Sequence, residues 1–163
     1  MTLLAAGAAL ATLTMAAVLA GTFFAFSVSV LPGLGTLGPE RAGAAMRGMN
    51  DKILSPLFLT PFVALPLVAA LTAVVLWTLG QRAAALAFAA AALVHVLGVI
   101  APTAAVNVPL NEALAAGPAD TAERAAELWA DFAPRWVRFN NLRAVASTGV
   151  ALLVGTGLLL WRR

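Results

Sequence analysis

Residues 53–81 read ILSPLFLTPFVALPLVAALTAVVLWTLGQ and contain no Asp, Glu, Lys or Arg. A helix needs roughly 20 mainly apolar residues to cross a bilayer, and a charge at its centre costs at least about 2.5 kcal/mol. A charge-free stretch of this length therefore reads as a membrane span. The same pattern repeats on either side. Nothing charged precedes Glu40, residues 83–111 are again free of Asp, Glu, Lys and Arg, and so are residues 144–161. The sequence predicts an all-α protein, an integral membrane four-helix bundle in one domain over 1–163. Its spans are expected at about 3–31, 53–79, 83–106 and 144–161, with a short amphipathic helix in each of the two longer loops.

Composition supports this class and removes others. Hydrophobic residues make up 62% and charged residues 10%, against about 45–50% and 25% in soluble domains. The formal charge of +3 comes from basic residues scattered at span ends, where they meet lipid headgroups, so membrane lipids are expected partners and nucleic acid is not. Without cysteine there is no disulfide, thiolate nucleophile or Cys-ligated cluster. The hydrophobic start lacks the basic flank and short apolar stretch of a secretory signal, and is read as a retained first helix.

Breakers and caps place the details. Span 1 is expected to stop at Pro32 and Gly33, and a short helix to begin at Pro39. Pro61 and Pro66 kink span 2 and free backbone carbonyls. His95 lies near the middle of span 3. Pro109, between Asn107 and Asn111, interrupts or restarts the helix. A further helix is expected from Asp120 or Thr121, with Glu123 completing an approximate capping box. Along it Trp129, Phe132, Trp136, Asn140 and Arg143 fall on one face, running from aromatics into an amide and a guanidinium. Trp161, Arg162 and Arg163 form an aromatic and basic anchor.

Four motifs carry a resemblance. Phe23-Phe24-Ala25-Phe26-Ser27 with Leu31-Pro32-Gly33, Met49-Asn50, Asn107-Val-Pro-Leu-Asn111, and Trp129, Trp136, Asn140 and Arg143 together resemble the anthrone oxygenase family over nearly the whole chain. The resemblance implies a small four-helix membrane protein oxidising a lipophilic aromatic, such as a polyketide- or quinone-like substrate, with molecular oxygen as co-substrate and no organic cofactor. Phe139, Asn140 and Asn141 stand where relatives carry a Trp-Asn-His run, which removes a base or ligand.

The chemistry asks for an apolar aromatic pocket, donors for a developing oxyanion and a base. Arg143, Asn140 and His95 are the candidate catalytic residues, and Asn50, Asn107, Asn111, Trp129, Phe132 and Trp136 the candidate substrate contacts. They converge if the two longer polar segments share one membrane side. Each has a plainer alternative. The aromatic stripe reads more readily as packing or an interface belt, the Asn pair equally as caps for carbonyls freed by Pro109, and Arg143 equally as a snorkelling side chain or a partner of Asp131 or Glu112. His95 reads as a neutral imidazole hydrogen-bonded to a neighbouring helix. One His and no Cys make a poor ligand set, so no metal site is expected, and haem or copper is disfavoured.

Two classes of function follow. One is the oxygenase. The other is a non-catalytic membrane protein that binds a lipid, quinone or partner helix, its polar residues serving as a structural network. Gly155 and Gly157 permit close helix contact and so a homo-oligomer. A count of basic residues favours the side of the two longer loops as cytoplasmic, whereas the short Arg82 turn and the terminal arginines, the kind of loop the rule weighs most, favour the termini. Both termini are expected on the cytoplasmic side of a bacterial membrane.

Overall fold

A computed structural model describes residues 2–161, so the Arg162-Arg163 part of the expected anchor lies outside the described residues. Every element among them is helical. Helix α1 (Thr2–Ala25) passes through a π-helical turn, Phe26–Val30, into α2 (Leu31–Gly35). Helix α3 (Pro39–Ile53) follows, then α4 (Pro56–Thr78) and α5 (Arg82–His95). Two π-helical turns, Val96–Ile100 and Thr103–Asn107, link α5 to α6 (Val108–Ala116), and α7 runs unbroken from Ala122 to Leu160. Four stretches, Leu3–Gly35, Pro56–Thr78, Arg82–Ala116 and Ala122–Leu160, are long and apolar enough to cross a membrane. The chain is a multi-pass membrane protein.

Proline explains why the helices run further than the breakers suggest. Each π-helical turn ends two residues before a proline. The N–H of Leu31 donates to Phe26 O, that of Ala101 to Val96 O and that of Val108 to Thr103 O, and Pro32, Pro102 and Pro109 come next. A proline lacks the N–H and presses on the carbonyl four residues back, and a turn widened by one residue relieves both problems while keeping the helix axis. Span 1 therefore continues past Pro32 to Gly35, and Pro109 restarts the helix without breaking its course. The last long helix likewise absorbs the helix expected after Asp120. Its N-cap is Thr121, whose hydroxyl accepts from the Arg124 N–H, while Asp120 pairs with the Arg124 guanidinium at 2.9 Å.

The tight return between α4 and α5 is set by Gly80, the one described residue type able to take φ 76° without strain. The N–H of Gln81 donates to Leu76 O across it, closing the helix end. Helix α1 packs on α4 and α7, and α5 packs on the same two, which gives a closed up-down-up-down ring.

Two apolar clusters fill this frame. The first, within the spans, joins Leu19, Phe23, Leu65, Leu76, Phe88, Val99, Val150 and Val154. Small residues let the helices approach closely there: Phe88 fills the space above Gly157, where an added Cβ would meet its ring at 2.8 Å. The second cluster joins Leu31, Leu34, Met46, Leu114, Phe132 and Trp136 from α2, α3, α6 and α7. The outer surface carries exposed Leu67, Leu71, Leu93, Leu97 and Leu152, as expected of helices solvated by lipid.

Length places the second cluster relative to the bilayer. At 1.5 Å per residue α7 is about 60 Å long, roughly twice the hydrocarbon thickness. Helix α4, at 23 residues, needs all of its length to cross. The first half of α7, α6 and α2 therefore project beyond the start of α4, and α3 lies across them.

Candidate functional site

At that level, between the first turns of α4 and the overlying α3, the bundle encloses a cavity of about 200 Å³. Its apolar walls include five aromatic rings: Phe23 and Phe26 from the first span, Phe58 and Phe62 from α4, and Trp136 from α7. Its polar lining includes Thr22 on α1, Asn50 on α3, Thr103 and Asn107 on the last π-helical turn, Asn111 on α6, and Asn140 and Arg143 on α7. Six residues singled out in the sequence, Asn50, Asn107, Asn111, Trp136, Asn140 and Arg143, thus share one cavity. Trp129 and Phe132 do not line it. They run along α7 as tilted ring pairs, Trp129 to Phe132 at 5.7 Å and Phe132 to Trp136 at 6.2 Å, within the second apolar cluster.

His95 is also outside the lining, directly behind Phe62. It is fully buried, and its Nε2 lies 2.9 Å from Phe62 O. That carbonyl is the one Pro66 cannot serve, being four residues before it. Since a carbonyl only accepts, Nε2 carries the proton and donates, while Nδ1 is buried without a partner. The imidazole is bonded to a neighbouring helix and replaces a missing backbone donor.

Arg143 organises the polar end. It is 5% exposed. Its Nη1 donates to Thr103 Oγ1 at 3.2 Å and its Nη2 to Asn140 Oδ1 at 3.0 Å. Asn140 in turn donates from Nδ2 to Phe23 O at 2.9 Å and Ser27 Oγ at 2.8 Å, at the entrance to the first π-helical turn. The guanidinium carbon sits 4.5 Å from the Phe23 ring centre and 5.3 Å from that of Trp136. Neither Asp131 nor Glu112 reaches it: both are exposed, and the ion pair among the described residues is Arg124 with Asp120.

Magnitudes decide what this means. A guanidinium taken out of water costs several kcal/mol, and each ring face returns about 0.5–2 kcal/mol. Two neutral acceptors do not close the gap, and two of five N–H groups are used. Arg143 Nε is buried with no partner. The site is a cation without a counter-ion on an aromatic wall.

The other amides divide by direction. Asn107 Nδ2 donates to Trp136 O at 3.3 Å, which leaves its Oδ1 buried and without a donor. Asn111 Oδ1 accepts from Trp136 Nε1 at 2.8 Å. Asn50 Nδ2 is buried without an acceptor. Among the described residues no three His, Asp or Glu side chains come together as a metal would need.

A sequence model described as anthrone oxygenase matches residues 56–153. The chain belongs to the anthrone oxygenase family. No curated protein and no solved structure matches it. The region matched to the anthrone oxygenase model contains Phe58, Phe62, Thr103, Asn107, Asn111, Trp136, Asn140 and Arg143, which is one side of the cavity. Phe23, Phe26 and Asn50 complete the cavity from outside that region. Sequence reasoning did not place Phe58, Phe62 or Thr103 in the site. Phe58 and Phe62 lie four residues apart on α4, one face of the helix, but in a segment apolar all round such a stripe has no contrast. Thr103 carried a usable signal, a hydroxyl just after a mid-span proline.

Proposed function

We propose that the cavity binds a planar, lipophilic aromatic ketone of the anthrone type and promotes its oxidation by molecular oxygen. One observation carries this reading: the buried, counter-ion-free Arg143, held over the rings of Phe23 and Trp136 with Nε unsatisfied. In such a reaction the methylene carbon of the anthrone loses a proton and the electron pair spreads onto the ketone oxygen. Oxygen then adds at that carbon. Loss of the second hydrogen with cleavage of the O–O bond leaves a new carbonyl and releases water, so one oxygen atom enters the product and the other leaves as water.

The protein's part is electrostatic. Arg143 donates to the oxyanion as it forms, in a pocket where a charged donor is worth far more than in water. The lining contains no carboxylate or imidazole, and the proton passes to water at the mouth. An apolar cavity of about 150 Å³ accepts benzene, so this larger one suits part of a fused ring system, the remainder lying toward the exposed rim residues Leu54 and Val108. The start of α1 and the end of α7 lie with the Arg82 turn, which we assign to the cytoplasmic side of a bacterial membrane.

The second reading, a binding protein without chemistry, is favoured by one feature: every polar atom of Asn140 is satisfied within the protein. Purified protein supplied with anthrone in detergent separates the two readings by oxygen uptake and anthraquinone absorbance. Arg143→Met should lower the rate by at least about a hundredfold, as loss of an oxyanion donor does, and Arg143→Lys should recover part of it. An unchanged rate in folded Arg143→Met would remove the site from the reaction.

A further inference from the structure

We infer that Thr103 is a positioning residue for the proposed oxidation: its hydroxyl, preset as an acceptor, fixes the orientation of the Arg143 guanidinium in the cavity wall. This role depends on the ligand site proposed above. It follows from the direction of two hydrogen bonds. Val99 O can only accept, and it lies 2.7 Å from Thr103 Oγ1, so the hydroxyl proton is committed to it. Arg143 can only donate, and its Nη1 lies 3.2 Å from the same oxygen, which therefore turns a lone pair to the guanidinium.

The other contacts of Arg143 leave that orientation open. The rings of Phe23 and Trp136 attract the charge as a whole and do not select which N–H points where. Nη2 donates to Asn140 Oδ1, but Asn140 stands three residues earlier on the same helix. Among the described residues Thr103 is the acceptor that ties the guanidinium directly to a second span. The backbone makes this acceptor available, because Thr103 opens a π-helical turn directly after Pro102, and a helical threonine can return its proton to the carbonyl four residues back. Ser27, on the first π-helical turn, repeats the arrangement: it donates to Phe23 O at 3.0 Å and accepts from Asn140 Nδ2 at 2.8 Å. The amide and the guanidinium of α7 are thus received by hydroxyls whose protons are already placed, one on each neighbouring span. With one bond at Nη1 and one at Nη2, the remaining N–H groups of Arg143 hold a fixed direction. A misplacement of about 1 Å in such a group costs up to about a hundredfold in rate.

The test replaces the hydroxyl by a methyl group in Thr103→Val and keeps it in Thr103→Ser. Anthrone oxidation by the purified full chain in detergent gives kcat and KM. The pH at which anthrone ionises without oxygen, and anthraquinone binding by quenching of tryptophan fluorescence, are read on the same proteins against empty micelles. Thr103→Val should lower kcat about tenfold or more and leave KM and anthraquinone binding within about twofold, since the loss falls on charge development and not on binding of the neutral ketone. Anthrone ionisation should move back toward the micelle value, and Thr103→Ser should restore both readouts. A hydroxyl with a purely structural role would move neither at unchanged anthraquinone binding. Unchanged kcat and ionisation in folded Thr103→Val overturn the inference, as does a loss that Thr103→Ser fails to recover. If Thr103→Val does not fold, Thr103→Ala takes its place, and failure of both beside an intact Thr103→Ser assigns the hydroxyl to the fold and overturns the inference. A wild type that neither oxidises anthrone nor shifts its ionisation overturns the ligand site itself, and this role with it.

Discussion

The contact between His95 and the proline-kinked span offers a measurement in which single substitutions mislead and their combination does not. Pro66 removes the N–H that would serve Phe62 O, and His95 Nε2–H serves it at 2.9 Å. Replacing His95 by Phe leaves that carbonyl buried and bare, at a cost of about 1–3 kcal/mol. The same change deletes Nδ1, itself buried without a partner, and so relieves a penalty of the same size. The net effect of His95→Phe is expected within about 1 kcal/mol of zero. Pro66→Ala restores a backbone donor to the same carbonyl, and in that background the imidazole is redundant. The coupling between the two changes should be about 1 kcal/mol, in the range of interhelical hydrogen bonds in membranes, which is about fivefold in the folding constant. Reversible unfolding in mixed detergent, followed by helical circular dichroism on the four proteins of the cycle, measures it. Additivity within about 0.3 kcal/mol would refute the idea that His95 stands in for the missing donor.

Other outcomes follow from the packing and the polar network. Gly98→Ala drives a Cβ to 2.6 Å from that of Ala146, which cannot swing aside, and should destabilise the contact of the π-helical turn Val96–Ile100 with α7 by about 1–3 kcal/mol. Gly149→Ala meets nothing within 4 Å and should be neutral or slightly stabilising in the same assay. Asn140→Leu removes two bonds to the first span and one from Arg143. A loss of about 3 kcal/mol is expected, together with most of the anthrone oxidation, because the guanidinium loses its tether.

Much of this architecture was legible in the sequence because a bilayer imposes a coarse rule. The absence of charge over 53–81 and 83–111 located the membrane helices. The three-and-four spacing from Trp129 to Arg143 put Trp136, Asn140 and Arg143 on one face, and the cavity lies on that face. What the sequence concealed has two causes. Proline is ambiguous, since a π-helical turn lets Pro32, Pro102 and Pro109 sit within continuous spans, and no side-chain pattern announces such a turn. Aromatic walls are silent in an apolar helix, so Phe58 and Phe62 looked like any lipid-facing or core residue. The direction of the amides was equally hidden: Asn107 could be expected to donate into the site, and its N–H goes to Trp136 O, which leaves Oδ1 buried and without a donor.

Arg143 is proposed to stabilise negative charge on a bound ketone oxygen, and ionisation of anthrone without oxygen isolates that step. Under anaerobic conditions the absorbance of the anthrone anion is followed against pH, with protein and with empty micelles. Wild type should shift its appearance to lower pH by at least about one unit, the worth of a charge-assisted hydrogen bond, and Arg143→Met should restore the micelle value. An anion curve identical with and without wild-type protein would contradict the claim.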